Sequence, residues 1–124
     1  MISGNEEAVV FLPLGVYYYN SQKMSMLEIG NFCGHIGGHL VAFETEAEHS
    51  ALVVPGNKYR IGAVKKYING NWTWLWQHSQ QSLNETFQAW GNNAGGYHNV
   101  IRNGDKWSTV PHTQKHDVVC EMRT

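Results

Sequence analysis

The chain has 124 residues, which is enough for one domain, residues 1–124, with a sizeable buried core. Its net charge is −1 with histidine neutral, and its nine Lys and Arg are scattered, so the basic stripe expected of a nucleic-acid-binding protein is absent. No apolar run approaches the length of a membrane span, so no spanning helix is expected.

Two strands and a helix are predicted at the start of the chain. Residues 9–12 and 16–19 have β-type composition, with a Pro and a Gly as breakers between them. Ser25 and Glu28 have the spacing of a capping box, which opens a helix. That helix ends at two consecutive glycines, and its apolar face is formed by Ile29, Phe32, Cys33 and Ile36.

A second helix and a strand-rich half follow. The capping box of Thr45 and Glu48 predicts a short helix that runs through about Val53 and is ended by Pro55. Three short β-type runs come after it, over residues 59–63, 72–76 and 118–122. Residues 77–97 form a long polar segment of a kind that compact domains seldom carry without a function. These elements predict an α+β domain whose loops occupy one end.

Two cysteines and two glycosylation sequons bear on the compartment. Cys33 and Cys120 could be a disulfide pair or two buried thiols, and their number alone does not decide between these. Asn71 and Asn84 begin Asn-X-Thr triplets, which favour a secretory route. The Trp after Asn71 is unfavourable, so Asn84 is the better candidate. The N-terminus lacks the features of a signal peptide, so the secretion we expect requires a leader that has been removed.

Seven short motifs stand in one order over roughly residues 16–122. They are the capped first helix ending in Gly-Gly-His-Leu (residues 25–40), Glu-Ala-Glu (46–48), Tyr-Arg-Ile-Gly (59–62), Gly-Asn-Trp-Thr-Trp-Leu-Trp (70–76), Phe-Gln-Ala-Trp (87–90), Trp-Ser-Thr-Val-Pro (107–111) and Val-Val-Cys-Glu (118–121). Together they resemble the C-type lectin-like domain family. The resemblance implies a fold of two helices packed on short antiparallel sheets, with a long irregular loop region.

The resemblance also implies a disulfide between Cys33 and Cys120, which would join the first helix to the last strand. A loop of that length is stabilised by on the order of 4 to 5 kcal/mol in the chain-entropy account. The family's second disulfide is missing, because His112 stands at its last cysteine and His98 or Asn99 at the partner position. These two histidines could form a metal pair or could be ordinary hydrogen-bonded or exposed side chains.

The calcium-dependent sugar site of the family is expected to be degenerate. Sugar-binding members hold the ion with Glu-Pro-Asn or Gln-Pro-Asp, a further Glu, and an Asn-Asp after Trp. Here residues 90–96 contain neither proline nor carboxylate, and neutral Ser108 and Thr109 follow Trp107. A ligand is therefore expected to contact the loop region without that ion. The candidate ligand-binding residues are Glu85, Asn92, Asn93, Tyr97, Asn99, Arg102, Asp105, Trp107, Ser108 and Thr109.

A separate, structural calcium site is implied at Glu48 and Glu121, with the carbonyl of Ala42 in line. In the alternative interpretation, Glu48 is only the capping residue of its helix and Glu121 is a surface charge. No other cofactor is expected. Both interpretations leave the ligand-binding loops unaffected.

The aromatic residues divide between core and surface. The tryptophans at positions 72, 74, 76, 90 and 107 stand where the family packs its core, so most are expected to be buried. Tyr97 and one of Trp72, Trp74 or Trp76 are expected to be exposed, where a sugar can stack. At least one of the three tyrosines at 17–19 should face solvent, because side chains alternate along a strand.

No enzyme is predicted, because the chain has no Ser nucleophile elbow, no His-Glu-x-x-His and, if the cysteines pair, no free thiol. Two functions remain. The first is a secreted lectin of innate-immune or body-fluid type that binds a glycan or glycoprotein through residues 77–110. The second is a domain that binds a protein, mineral or ice surface. An unassisted sugar site is weak, so the first function favours a homo-oligomer, which must be non-covalent since neither cysteine is spare.

Overall fold

The structure, a computed structural model, describes residues 7–12, 15–91 and 95–122. Neither α-helix in this part of the chain is long and apolar enough to cross a bilayer. The elements in order are β1 (Glu7–Leu12), β2 (Gly15–Met24), α1 (Met26–His35), β3 (Gly38–Leu40), α2 (Glu46–Ala51), β4 (Lys58–Ile68), β5 (Asn71–Trp76), a single-turn 3-10 helix (Leu83–Glu85), β6 (Asn99–Asn103), β7 (Lys106–Val110) and β8 (His116–Met122). The predicted α+β architecture is confirmed.

The last strand, β8, connects the two halves of the sheet. The strand order is β1-β2-β8-β4-β6-β7, with β3 added on β8 and β5 added on β4. Among the strands of the described residues, all pairings are antiparallel except the one between β4 and β8, where Tyr59 pairs with Asp117 in parallel. The sheet is therefore mixed, and its antiparallel portions meet at β8.

Both capping boxes form as predicted. The Ser25 hydroxyl accepts from the Glu28 amide, and the Glu28 carboxylate accepts from the Ser25 amide at 2.9 Å, which lowers the pKa of Glu28. The helix stops before Gly37, whose φ of 91° lies in the left-handed region that glycine adopts without strain. The chain leaves α1 where the two glycines predicted that it would.

Helix α2 is shorter than predicted. It ends at Ala51 rather than near Val53, because Leu52 is already extended, with ψ at 114°, and packs in the main core. Pro55 reinforces this, since a residue that precedes proline is disfavoured in helical geometry. Pro55 was expected to end the helix, and the burial of Leu52, which was not predicted, ends it two residues earlier.

The strands of the second half are longer and more numerous than predicted. Strand β4 continues to Ile68 and forms a hairpin with β5 through Asn69 and Gly70, whose positive φ angles of 50° and 83° suit a tight two-residue turn. Strands β6 and β7 form a second hairpin within the segment that was expected to be mostly loop. Residues 99–110 therefore belong largely to the sheet.

Two hydrophobic clusters lie on opposite faces of β2 and β8. Tyr17, Tyr19 and Val119 point into the main core. The second cluster lies under α1 and contains Ile29, Cys33, Leu40, Val118 and Cys120. The Cys33–Cys120 disulfide, with Cα atoms 5.5 Å apart, is confirmed and links α1 to β8. Tyr18 points away from the main core, as alternation predicts, but Phe32 packs against its ring and leaves it half-buried.

Candidate functional site

An exposed aromatic surface lies on the β4–β5 hairpin. The register places Tyr67 opposite Trp72 and Lys65 opposite Trp74, so all four side chains share one face of the hairpin. Tyr67 is 62% exposed and Trp72 is 54% exposed, and their rings meet edge to face with centroids 5.2 Å apart. These four residues together with His98 are called the aromatic face below.

His98 joins this surface from the loop that precedes β6. Its ring packs against Trp72 with centroids 4.8 Å apart, and its carbonyl accepts a hydrogen bond from the Lys65 amide at 2.9 Å. The Lys65 amine lies 5.9 Å from the ring centroids of both Trp72 and Trp74. The surface therefore combines aromatic rings with a cation. The rings can stack against a ligand ring, and the Lys65 amine can donate a hydrogen bond to a nearby anionic or hydroxyl group.

A chain of tryptophans connects the aromatic face to the core. Trp74 packs against Trp90 with centroids at 4.9 Å, and Trp90 packs against Trp107 at 5.6 Å. Trp107 and Trp76 are fully buried, edge to face. The prediction for the tryptophans is confirmed: most are buried or half-buried, and Trp72 is the exposed one. The aromatic face is thus supported from beneath by rigid packing.

A cleft of about 340 Å³ adjoins the aromatic face at His98. It is lined by Gly96, Tyr97, His98, Asn99, Pro111 and His112. The Tyr97 amide donates to the Thr109 hydroxyl at 3.1 Å, while its side chain is 53% exposed, as predicted. Buried Arg60 donates to the carbonyls of Pro111 and Gln114, and burial lowers its pKa to about 10, so it remains charged at neutral pH.

Both histidines at the missing disulfide therefore border one cleft. Within the described residues, no three His, Cys, Asp or Glu side chains converge on a possible metal position. The ring of His98 contacts Trp72, which gives it a packing role that does not depend on a metal. A metal pair formed by His98 and His112 stays a prediction.

The predicted ligand-binding residues do not lie together. Tyr97, Asn99 and Thr109 lie at the loop end, beside the aromatic face, with half-buried Ser108 next to them. Exposed Glu85 lies apart, on the 3-10 helix. Asn92 and Asn93 fall outside the described residues. Of the ten residues, Tyr97 and Asn99 border the cleft beside the aromatic face, whereas Thr109 is buried beneath Tyr97 and supports its backbone.

Arg102, Asp105 and Trp107 require a correction. Asp105 lies in the turn between β6 and β7, and Arg102 is buried, donating to the Tyr59 hydroxyl at 2.9 Å and packing over Phe43. Trp107 has no exposed surface. These residues lie on the β6–β7 hairpin, so the sheet places Arg102 and Trp107 in the interior and Asp105 in the far turn. That turn is roughly 14 Å from the loop end, at 3.4 Å per residue.

Lys65 and Tyr67 were not predicted from the sequence to be part of a binding surface. The signal was present in the Asn-Gly pair at 69–70, which predicts a two-residue hairpin turn. Counting outward from that turn pairs Tyr67 with Trp72 and Lys65 with Trp74. His98 could not be found in this way, because its packing depends on how β6 pairs with β4.

Glu48 and Glu121 lie close enough for their carboxylates to interact. Glu48 accepts from the amides of Glu44 and Thr45, as its capping role requires, and Glu121 accepts from the Ala42 amide at 3.2 Å. Burial raises the pKa of Glu121, and the carboxylates of Glu48 and Glu44 add to this. The capping role of Glu48 is confirmed, while calcium binding at this pair stays a prediction. Asn71 and Asn84 are both exposed, and their glycosylation likewise stays a prediction.

Comparison with known proteins gives the class to which this fold belongs. A family model described as the Lectin C-type domain matches residues 22–122, which is most of the chain. The chain therefore belongs to the C-type lectin domain family. The resemblance seen in the seven motifs is confirmed.

Individual relatives are more distant. The rat protein "C-type lectin domain family 4 member F" is 34% identical over 61 residues, which are 48% of this chain and 11% of that protein. The carbohydrate-recognition domain of cow CD23, solved in the presence of a GlcNAc2Man3 oligosaccharide, superposes with a TM-score of 0.77 at 22% identity over 96% of each chain. A calcium-independent type II antifreeze protein superposes at 0.72 with 15% identity over 95% of this chain and 96% of that one. At these identities, each of the two solved structures shows only that it shares its fold with this chain.

Proposed function

We propose that this domain is a secreted, non-catalytic lectin that binds glycans through the aromatic face, without a calcium ion at the sugar. The observation that carries the proposal is the exposed pair of Tyr67 and Trp72, held edge to face beside the amine of Lys65. The C–H groups of a sugar ring stack on aromatic faces, and rings fixed by packing lose little entropy on binding.

The carboxylate content of the chain supports calcium-independent binding. From Ile61 to His116 the only carboxylates are those of Glu85 and Asp105. Asp105 lies in the far turn of the β6–β7 hairpin, and Glu85 lies on the 3-10 helix. Calcium prefers six to eight oxygen ligands, with several carboxylates among them. A sugar at the aromatic face therefore depends on stacking and on neutral polar groups.

The adjoining cleft supplies those polar groups. The phenol of Tyr97, the amide of Asn99 and the imidazoles of His98 and His112 border it. Each of these groups can donate a hydrogen bond to a sugar hydroxyl or accept one from it, directly or through water. If one sugar unit of a glycan stacks on Trp72, the next sugar unit can reach the cleft, because His98 belongs to both surfaces.

A glycan array probed with and without a chelator tests the proposal. We expect binding that survives chelation and that Trp72→Ala weakens by roughly tenfold or more, which corresponds to about 1.4 kcal/mol. Val53→Ala, at an exposed apolar position just after α2, is the matched control and should bind like the wild type. Binding that the chelator abolishes, or that Trp72→Ala leaves unchanged, would rule out the proposed site.

One observation favours a second function. Tyr67 and Trp72 are large exposed aromatic side chains on one face of the hairpin, and exposed aromatic surface of this kind also marks protein-binding sites. In that case the ligand is a protein or another extended surface instead of a sugar. Silence on the glycan array, together with a protein ligand whose binding Trp72→Ala abolishes, would select this function.

A further inference from the structure

Arg60 on β4 is a fully buried cation without a carboxylate partner. Its Nη2 atom donates to the carbonyls of Pro111 and Gln114, whereas its Nε and Nη1 atoms make no hydrogen bond within the described residues. Burial is the cause that lowers its pKa, and no carboxylate of the described residues opposes that shift. A buried charge is costly unless it is paired. The described part of the chain therefore leaves this positive charge without a counter-charge.

Arg102 on β6 is also buried, and its surroundings differ. Its Nε atom donates to the Gly104 carbonyl at 2.8 Å and its Nη1 atom donates to the Tyr59 hydroxyl at 2.9 Å. Its guanidinium also lies over the ring of Phe43, 5.2 Å from the centroid. Among the described residues, no buried nitrogen of Arg102 is left without a partner. The unpaired donors of Arg60 are therefore a property of its site and not of every arginine that this fold buries.

The charge of Arg60 lies next to the cleft that adjoins the aromatic face. Pro111, whose carbonyl accepts from Arg60 at 3.2 Å, is one of the residues that line this cleft. The other lining residues carry no carboxylate: they are Gly96, Tyr97, His98, Asn99 and His112. An anionic group in the cleft would therefore meet a positive potential and no negatively charged side chain in the lining.

The charges around the cleft also favour an anion. The Lys65 amine lies at the aromatic face and makes no ion pair within the described residues. The carboxylate of Glu28, on α1, is 3.8 Å from the amine of Lys115, so a cation already accompanies it. The loop end thus carries two cations, Arg60 and Lys65, that no carboxylate of the described residues pairs with.

We propose that the glycan bound by this domain is acidic, and that its carboxylate or sulfate group occupies the cleft while a neighbouring sugar unit stacks on Trp72. This inference rests on the proposed glycan binding at the aromatic face and adds the class of glycan. Arg60 acts as a fixed charge at longer range because its side chain is buried, while the Tyr97 hydroxyl and the Asn99 amide can donate to the anion directly. A neutral sugar gains nothing from the Arg60 charge, so the arrangement selects for an acidic one.

Matched pairs of glycans on an array test this inference with the wild-type chain. Oligogalacturonate paired with its methyl ester isolates the carboxylate, and dextran sulfate paired with dextran isolates the sulfate. We expect the acidic member of at least one pair to bind roughly fivefold or more tightly, and the difference to shrink as salt is added. Acidic members that bind no more tightly than neutral ones would overturn the inference and leave the proposed function intact. Silence on every glycan of the array would overturn both.

Variants of Arg60 test whether this residue supplies the charge. Arg60→Met removes the charge and keeps an unbranched apolar stem, so the preference for the acidic member should fall roughly fivefold while binding of the neutral member stays unchanged. Arg60→Lys keeps the charge and should keep the preference. Lys106→Met removes one positive charge from an exposed position near the far turn of the β6–β7 hairpin, so it is the matched control for net charge.

Three results with the variants would overturn the proposal. The first is a preference that Arg60→Met leaves unchanged, and the second is one that Lys106→Met reduces equally. The third is an equal loss of neutral and acidic binding in Arg60→Met, which would show that Arg60 only supports the loop. The melting temperature of Arg60→Met should stay close to that of the wild type, because removal of an unpaired buried charge offsets the loss of its two hydrogen bonds. The comparison of glycan pairs on the wild type does not depend on the stability of any variant.

Discussion

The two ends of this domain are stabilised by different means. Beneath α1, the Cys33–Cys120 bridge closes a separation of 87 residues and lies in a cluster with buried Ile29 and Val118. At the loop end, His98 and His112 stand where the family has its second bridge. The covalent constraint is thus confined to the part of the domain beneath α1.

Non-covalent contacts replace the bridge at the loop end. The Tyr97 amide donates to Thr109, the Lys65 amide donates to the His98 carbonyl, and Arg60 donates to the Pro111 carbonyl. Single hydrogen bonds of this kind contribute about 1 kcal/mol each, and each can open on its own. The comparison teaches that the loop end is stabilised by separate hydrogen bonds instead of a covalent bridge, while the tryptophans beneath the aromatic face keep its rings in place.

Removal of the disulfide should produce the largest effect. Cys33→Ala with Cys120→Ala should lower the free energy of unfolding by about 4 kcal/mol, because the unfolded chain regains the entropy of a long loop. The melting temperature should fall by roughly 15 °C for a domain of this size. Chemical denaturation measures the change, with the reduced wild type as the control. A loss below about 1 kcal/mol would show that packing under α1 suffices without the bridge.

Acid should produce the next largest effect, through His49. This buried side chain accepts a hydrogen bond from the Trp107 indole N–H at 3.0 Å, so its Nε2 is unprotonated in the folded state. Burial, with Arg102 nearby, lowers the pKa of His49 from 6.5 to about 4. An acid-sensitive contact therefore joins α2 to the tryptophan that supports the aromatic face.

The direction of the pH effect on stability follows from the pKa values of His49 in the unfolded and folded states. Unfolded His49 takes up a proton near pH 6.5 and folded His49 only near pH 4, so stability is lost as the pH falls through that window, by up to about 3 kcal/mol. His49→Gln keeps an acceptor but does not titrate, so its unfolding free energy should depend less on pH there. His35→Gln, at an exposed position, should keep the wild-type dependence. Equal slopes in all three proteins would contradict the assignment.

Features set by local sequence were predictable. The capping boxes at Ser25 and Thr45 depend on residues three positions apart, so both helix starts were predicted from the sequence. Tyr97 was predicted to be exposed together with one of Trp72, Trp74 or Trp76, and Trp72 is that one. The disulfide, which composition left undecided, was implied by the resemblance to the family.

Features set by tertiary pairing were not predictable. Strands β6 and β7 are only five residues each and contain Asn, Arg and Lys, so their strand character depends on pairing with β4. Arg102 reads as a surface residue in sequence, but Tyr59 and Phe43 from other parts of the chain enclose it. For the same reason the ten predicted ligand-binding residues included some that the fold places in the core.

The smallest effect, and the most local, should come from Thr109→Val. The change removes the hydroxyl that accepts from the Tyr97 amide and keeps the shape of the side chain, so it should cost about 1 kcal/mol or less, since water can reach the exposed Tyr97. Amide exchange at Tyr97 should accelerate while the exchange of residues under α1 stays unchanged. Thr73→Val on β5 is the matched control. If exchange accelerates equally at both ends, the loop end does not open independently of the disulfide-bonded end, and the contrast between them is lost.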